Sequence, residues 1–173
     1  MDIRDQLLLE HSKENSNRIK EYIGEDHDRF RILLDLFLGE EYRVSQRAAM
    51  VLSACYDEHP DLVKPYRKEL IKNLLENDPD VAIRRNTVRI LQFMEVPSKY
   101  KAKVFDYCLE RLYEEDETVA VKAFCMLVAY NICVDFPELG PELQAAIYLN
   151  MENSEKPGIH SRGKGISKKL AKL

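Results

Sequence analysis

The stretch LIKNLLENDPDVAIRRNTVRIL, residues 70–91, contains two apolar patterns separated by a short turn. On both sides of the turn, apolar residues recur at three- and four-residue spacing, which is the periodicity of an amphipathic α-helix. Asp78 has a side chain that is preferred at helix N-caps, and Pro79 suits the first helical position. The stretch therefore predicts two helices, over 62–76 and 79–95, that form a helical hairpin.

The same pattern occurs twice more, in YRVSQRAAMVLSAC (42–55) and ETVAVKAFCMLVAY (117–130). A valine followed by a cation recurs at steps of 37 and 38 residues: Val44 with Arg47, Val81 with Arg84, and Val119 with Lys122. The candidate N-caps three residues before these valines are Glu41, Asp78 and Asp116. Another apolar helical segment precedes each copy. A hairpin of two antiparallel helices cannot bury its apolar face alone, so we expect the repeats to stack on one another.

Signals for β-strands are scarce in this sequence. It contains no Asn-Gly or Asp-Gly turn and no sustained alternation of apolar and polar residues. Breaks at Pro, Gly and Asp delimit nine predicted helices: 3–23, 28–38, 41–57, 62–76, 79–95, 98–114, 117–134, 139–151 and 157–171. The sequence therefore predicts an all-α chain.

The quoted hairpin resembles the HEAT repeat, in which a turn Asp and a second-helix Arg form a ladder between successive repeats. Three repeats match over about 28–134, with Glu41 in place of the first Asp and Lys122 in place of the third Arg. The resemblance implies one domain over 1–173, a short right-handed α-α superhelix (solenoid) whose second helices line the concave side. It also implies that Arg84 pairs with the acidic cap of a neighbouring repeat. An N-terminal helix at 3–23 precedes four expected repeats, over about 28–57, 62–95, 98–134 and 139–171.

The fourth repeat depends on the C-terminal stretch PGIHSRGKGISKKLAKL, residues 157–173. Ile159 falls 40 residues after Val119, in the register of the earlier repeats. One apolar helical stripe follows from the spacing of Ile159, Ile166, Leu170 and Leu173. The stretch lacks the GxxxxGK[ST] spacing of a phosphate-binding loop. We interpret it as a solvated helix that caps the solenoid, with a basic tail for nucleic acid as the alternative.

Charge is distributed unevenly along the chain. The net charge is −4 over 173 residues, but six cations lie from Lys156 onward, which leaves 20 basic and 30 acidic side chains before that residue. An acidic body disfavours binding to a polyanion. The N-terminus does not resemble a secretory signal, and no stretch approaches the roughly 18 apolar residues that span a bilayer. We therefore expect a cytoplasmic location without membrane contact.

The sequence also lacks the common patterns of catalytic and metal sites. The four histidines form no i,i+4 pair and no HExxH motif, and there is no Gly-x-Ser-x-Gly elbow. The four cysteines have apolar neighbours and no CxxC spacing, so we expect buried reduced thiols. No catalytic residue, metal or cofactor is predicted. A HEAT-like DNA glycosylase of the alkylpurine type is the enzymatic alternative, but that family holds its lesion with tryptophans, and this chain has none.

A partner surface is predicted on the second helices. On a helical wheel centred on Val81, one arc opposite the apolar side contains Arg85, Arg89 and Gln92. The equivalent positions are apolar in the flanking repeats: Ala48, Leu52 and Cys55 in the first, and Ala123, Leu127 and Tyr130 in the third. An apolar surface with a basic centre suits an acidic-apolar peptide or helix. We therefore predict a non-catalytic scaffold that binds a protein or peptide through Arg85, Arg89, Gln92, Leu127 and Tyr130.

Two alternatives to this partner surface stay open at the level of sequence. The second helices of the first and third repeats are apolar enough to be buried on all sides. A nucleic-acid binder would instead use Arg85, Arg89, Lys122 and the basic C-terminal segment.

Overall fold

The computed structural model describes residues 1–173 as α-helices joined by short turns, without a strand. The all-α prediction is confirmed. No helix combines the length and the apolar character that crossing a membrane requires. The eleven helices are α1 Ile3–Leu9, α2 Lys13–Ile23, α3 His27–Phe37, α4 Tyr42–Glu58, α5 Pro60–Val63, α6 Arg67–Asn77, α7 Val81–Leu91, α8 Ser98–Tyr113, α9 Val119–Asp135, α10 Gly140–Asn153 and α11 Pro157–Leu170. Two 3-10 turns, Lys64–Tyr66 and Pro137–Leu139, precede α6 and α10.

The prediction of one N-terminal helix over 3–23 is wrong, because this segment forms two helices, α1 and α2. Ser12 caps α2, since its Oγ accepts a hydrogen bond from Asn15 N at 3.1 Å. The buried Asn15 spans the break, and its Nδ2 donates to the carbonyl oxygens of Gln6 and Glu10. These bonds satisfy carbonyl groups that the end of α1 leaves without helical partners.

In the second repeat, α7 starts later than predicted. Asp78 is the C-cap of α6, with φ 39° and ψ 65° in the left-handed region, and not the N-cap of α7. Pro79 disfavours right-handed helical backbone at the residue before it, and Asp is one of the few side chains that tolerate the left-handed conformation. The first backbone hydrogen bond of α7 runs from Arg84 N to Asp80 O at 2.9 Å. Asp80 therefore occupies the position at which α7 starts.

The third repeat also differs from the predicted cap. Thr118, and not Asp116, is the N-cap of α9, and its Oγ1 accepts a hydrogen bond from Val121 N at 3.4 Å. Glu117 Oε1 accepts a second bond from Thr118 N at 2.8 Å, so an anion lies at the positive end of the helix dipole. In the first repeat, Glu41 is the N-cap of α4, as predicted.

The chain forms two compact units, residues 1–90 and 91–173. In the N-terminal unit, α4 is the central helix, and α1, α2 and α3 all pack against it. Its side chains Val51, Leu52 and Cys55 are fully buried. Burial of a large aliphatic side chain contributes about 1.5–3 kcal/mol, so contacts around α4 are a main source of stability in this unit.

Helix α9 is the central helix of the C-terminal unit, where α8, α10 and α11 pack against it. Val121, Cys125, Met126 and Ala129 are fully buried there. The burial predicted for the four cysteines is confirmed, because all of them are buried thiols.

Within each unit, polar contacts join residues about one repeat apart in sequence. They include Arg4 with Glu41 at 2.7 Å, Arg31 with Glu69 at 2.8 Å, Arg47 Nη1 with Leu7 O at 2.7 Å, and Asn150 Nδ2 with Leu112 O at 2.8 Å. Exposed ion pairs contribute at most about 1 kcal/mol each. These contacts therefore fix the register of adjacent repeats more than they add to stability.

Helix α11 occupies the place predicted for the second helix of the fourth repeat. Ile159 and Ile166 are buried, as the apolar stripe predicts, while Leu173 lies beyond the end of the helix and is exposed. The prediction that Leu173 belongs to this apolar stripe is thus wrong, because the helix ends at Leu170.

Gly163 of α11 allows a close approach to α10 that the sequence analysis did not predict. A Cβ atom at this position would lie 2.7 Å from Met151 Sδ and 3.2 Å from Ile147 Cγ2. A Cβ at Gly165, two residues later in the same helix, would have no atom within 4 Å. The two glycines of the same helix therefore have opposite surroundings.

We expect Gly163→Leu to lower the free energy of unfolding by about 1–3 kcal/mol, since the added atoms overlap with α10. The same change at Gly165 provides the matched control. It should raise the free energy of unfolding by roughly 0.5–1 kcal/mol, because leucine has the higher helix propensity and the site is open. Urea unfolding followed by circular dichroism measures both values, and equal effects at the two sites would contradict the close approach.

Candidate functional site

Helix α7 offers one cation that is available to a partner. Arg85 is exposed and forms no hydrogen bond or ion pair. Arg89 is different, because its Nη2 donates to both carboxylate oxygens of Asp57 at 3.0 Å. The charge of Arg89 is thus balanced by a neighbour on α4, and the basic centre that the sequence predicts is mainly Arg85.

Arg84, next in sequence to Arg85, is bonded within its own turn. Its side chain is 16% exposed, and Nη1 donates to Pro79 O at 3.0 Å and lies 3.6 Å from Asp78 Oδ1. The acid of the preceding repeat, Glu41, forms its ion pair with Arg4. A pairing of Arg84 with the acidic cap of a neighbouring repeat stays a prediction.

The first repeat does not contribute to a partner surface. The side chains predicted to continue the arc there, Ala48, Leu52 and Cys55, are fully buried. Helices α1, α2 and α3 pack against α4, and Lys20 of α2 pairs with Glu58 of α4, which lowers the pKa of that carboxyl. The predicted arc of the first repeat is therefore buried, whereas Tyr42 and Arg43 of the same helix are exposed.

The third repeat keeps an accessible face on α9. Ala123, Leu127 and Tyr130 are half-buried, and Asn131 and Val134, which share their side of the helix, are exposed. These positions follow helical spacing, so they form one continuous face. The predicted residues Leu127 and Tyr130 thus lie together on an accessible, mostly apolar strip.

The segment after α7 adjoins this face. Asn131 Nδ2 donates to Gln92 O at 3.0 Å, and Asn131 and Phe93 line the same groove, which has a volume of about 300 Å³. The predicted site residue Gln92 is only 6% exposed, so its side chain offers little surface, whereas Phe93 is 65% exposed. We call Phe93, Leu127, Tyr130, Asn131 and Val134 together the α9 surface.

The exposure of Phe93 could not be predicted from helical periodicity. The residue lies beyond the end of α7, in the loop before α8, so it belongs to neither helical wheel. The predicted helix over 79–95 would have placed it on a regular helical face. Its exposure is decided by the loop conformation, which helical periodicity does not describe.

The edge of the α9 surface also carries a cation. Lys169 of α11 lies with its Nζ 5.4 Å from the centre of the Tyr130 ring, within the range of cation–π attraction. Through this contact, Tyr130 lies at the margin of the α9 surface. Leu127 and Val134 form the apolar centre of that surface.

The thiols are unsuited to nucleophilic chemistry. Burial raises the pKa of Cys55 to about 12 and that of Cys133 to about 11. A hydrogen bond with Cys108, together with burial, raises the pKa of Cys125 as well. Since the thiolate is the reactive form, these cysteines are inert at neutral pH. No group of three or more His, Cys, Asp or Glu side chains is arranged to hold a metal ion.

Comparison with known proteins identifies one match. The family model of the HEAT repeat domain matches residues 3–170 of the chain. No curated protein and no solved structure shows significant similarity to it.

The adjacent arginines of α7 provide a test of their surroundings. We expect Arg84→Ala to lower the free energy of unfolding by about 1–3 kcal/mol, because it removes the hydrogen bond to Pro79 O and the positive charge beside Asp78. Arg85→Ala should change it by less than about 0.5 kcal/mol, as is usual for an exposed side chain. Chemical unfolding of the two variants under the same conditions measures this difference. A negligible effect at Arg84 would show that it behaves as a surface cation.

Proposed function

Because the chain belongs to the HEAT repeat domain family, we propose that it is a non-catalytic scaffold that binds a protein or peptide through its second helices. Helical repeats present extended surfaces built from equivalent positions of successive hairpins, and binding is their common use. Family membership does not identify the partner, so the proposal depends on the chemistry of the accessible faces.

The α9 surface carries this proposal. Its members include no acidic or basic side chain, and Phe93 and Val134 are 65% and 50% exposed. Aromatic side chains with neighbouring aliphatic ones are typical of the residues that dominate protein–protein binding energy. A nucleic-acid backbone would gain little here, because its affinity depends on cations placed along the contact.

Arg85 supplies a separate contribution in the N-terminal unit. As an exposed guanidinium without a partner in the chain, it suits a carboxylate on the bound protein. Arg89 contributes less, because Asp57 already neutralises it. We therefore keep Arg85, Leu127 and Tyr130 as proposed contact residues and add Phe93 and Val134.

Site-specific photo-cross-linking tests the α9 surface. We expect p-benzoylphenylalanine at Val134 to capture a protein partner in cells that express the chain. The matched control is the same substitution at Tyr148, which is 55% exposed on the first helix α10 of the same unit. Val134→Asp should then weaken capture of that protein at least about tenfold, while Tyr148→Asp leaves it unchanged. Equal capture from both positions would contradict a specific surface.

Arg85→Glu tests the contribution of α7 on its own. It should weaken binding of the captured protein and leave the free energy of unfolding within about 0.5 kcal/mol of the wild type. Arg89→Glu is not a suitable companion, because it would place a second carboxylate beside Asp57 and disturb the fold. Binding that is unaffected by Arg85→Glu would remove this residue from the site.

Nucleic-acid binding is the second candidate, and one observation favours it. Lys164, Lys168 and Lys169 of α11 are exposed along one short helix. If this helix binds DNA, a duplex should associate at ~50 mM salt with an affinity that falls steeply as salt rises. Fluorescence anisotropy measures this dependence, and a lack of binding at ~50 mM salt would eliminate the candidate, including its glycosylase form.

A further inference from the structure

A cleft in the C-terminal unit lies away from the α9 surface, where the α8–α9 and α10–α11 turns run side by side. Its volume is about 590 Å³, within the roughly 300–1,000 Å³ range of ligand-binding pockets. The two helix starts touch at its base, since a Cβ at Gly158 of α11 would lie 3.0 Å from Val119 Cγ1 of α9. The cleft is thus formed by packed elements of the fold.

Two lysines that line the cleft have no acidic partner. Lys122 extends from α9, Lys156 is the N-cap of α11, and the side chain of neither forms a hydrogen bond or ion pair. Two acids also line the cleft, but Glu117 is engaged by Thr118 N and lies 3.9 Å from Arg111. Glu115 is exposed and is the one acid left to offset two cations.

The register of the repeats explains this excess of positive charge. Lys156 stands three residues before Ile159, in the position that Glu41, Asp78 and Asp116 occupy in the earlier repeats. At that position Glu41 accepts a hydrogen bond from the guanidinium of Arg4, and Asp78 lies close to the guanidinium of Arg84. In the fourth repeat an ammonium group stands at this position, so it adds a second cation to the cleft that Lys122 lines.

A buried amide adds an acceptor to the same cleft. Asn150 is 6% exposed, and its Nδ2 donates to Leu112 O at 2.8 Å and to Ala146 O at 2.9 Å. These bonds fix the orientation of the amide and leave Asn150 Oδ1 as an acceptor in the lining of the cleft. A backbone N–H group of a bound chain is a suitable donor for this oxygen.

Apolar surface completes the lining of the cleft. Tyr113 and Leu149 are exposed at its walls, and Ile159 contributes from α11. The cleft therefore combines two cations, one backbone-type acceptor and an apolar wall, which is the mixture that a short peptide with one acidic side chain satisfies.

We infer that this cleft binds a carboxylate-bearing peptide segment of a protein partner. Lys122 and Lys156 donate hydrogen bonds to the carboxylate. The bound segment thus supplies the anion that acidic residues of the chain supply to Arg4 and Arg84. Asn150 Oδ1 accepts a backbone N–H of the segment, and Tyr113 and Leu149 pack against an adjacent apolar side chain. The site is separate from the α9 surface and does not require it.

Two peptide pools test the inference. Both contain acetylated and amidated hexapeptides that vary among Ala, Leu, Phe and Ser, and they differ only in Glu or Gln at the third position. We expect the Glu pool to shift the backbone amide signals of Lys122, Asn150 and Lys156 in ¹H–¹⁵N NMR spectra and to saturate. The Gln pool should bind at least about tenfold more weakly, because it lacks the charge-assisted bonds. A Gln pool with a free C-terminus distinguishes a terminal from a side-chain carboxylate.

Lys156→Glu is the decisive variant. It restores the acid of the earlier repeats and supplies Lys122 with a carboxylate from within the chain, so the Glu pool should no longer shift the cleft signals. The change also places an anion at the start of α11, which is compatible with a folded protein. The matched control is Lys103→Glu, at an exposed lysine of α8 outside the cleft, and it should leave binding unchanged.

Several results would overturn the inference. These are equal effects of the two pools, cleft signals that still shift in Lys156→Glu, no saturable shift at all, or the same shifts with sodium acetate or phosphate at equal concentration. Val134→Asp, which tests the α9 surface, should leave the peptide-induced shifts intact. The cleft and the proposed function can therefore fail independently.

Discussion

The burial of one central helix in each compact unit is the constraint on which the other features depend. Helices α4 and α9 bury a large share of their side chains, which include Leu52, Cys55, Cys125 and Met126. A helix of this composition is unstable in water unless several neighbours cover it. The surrounding helices of each unit therefore pack where they remove the apolar side chains of the central helix from solvent.

The two central helices are covered to different extents, and this difference decides which side chains are accessible. In the N-terminal unit, the predicted arc of α4 is fully buried at Ala48, Leu52 and Cys55. In the C-terminal unit, the equivalent side of α9 keeps Val134 exposed and leaves Leu127 and Tyr130 half-buried. Repeats with similar sequences thus differ in accessible surface, because accessibility depends on the neighbours of each helix.

Polar side chains in the turns have a second role. Across the repeats, a cation on one element commonly meets a carboxylate or carbonyl about one repeat away, as with Arg31 and Glu69. At Lys122 and Lys156 this complementarity is interrupted, because neither side chain forms an ion pair, and both line the same cleft as Tyr113 and Leu149. The other repeats carry a carboxylate at the position of Lys156, so the change in charge at this position is specific to the fourth repeat.

The sequence could predict much of the fold but only part of the candidate site. Periodicity located the helical hairpins, and the register of Val44, Val81, Val119 and Ile159 identified α11 as a second helix. Local turn chemistry was less predictable, since Asp78 is a left-handed C-cap and the buried Asn15 separates α1 from α2. Of the predicted contact residues, Arg85 is exposed and Leu127 and Tyr130 are half-buried, but the sequence did not show that Gln92 is buried or that Phe93 is exposed.

The sequence by itself determined the helix type, the repeat length and the register, because helical periodicity and caps are properties of neighbouring residues. Only the tertiary structure decided which faces stay accessible. It buried Ala48 and Leu52, paired Arg89 with Asp57, and placed Gly163 of α11 close to Met151 and Ile147 of α10. Each of these outcomes depends on a segment that is distant in sequence, so the composition of a single helix does not reveal which of its apolar faces another helix covers.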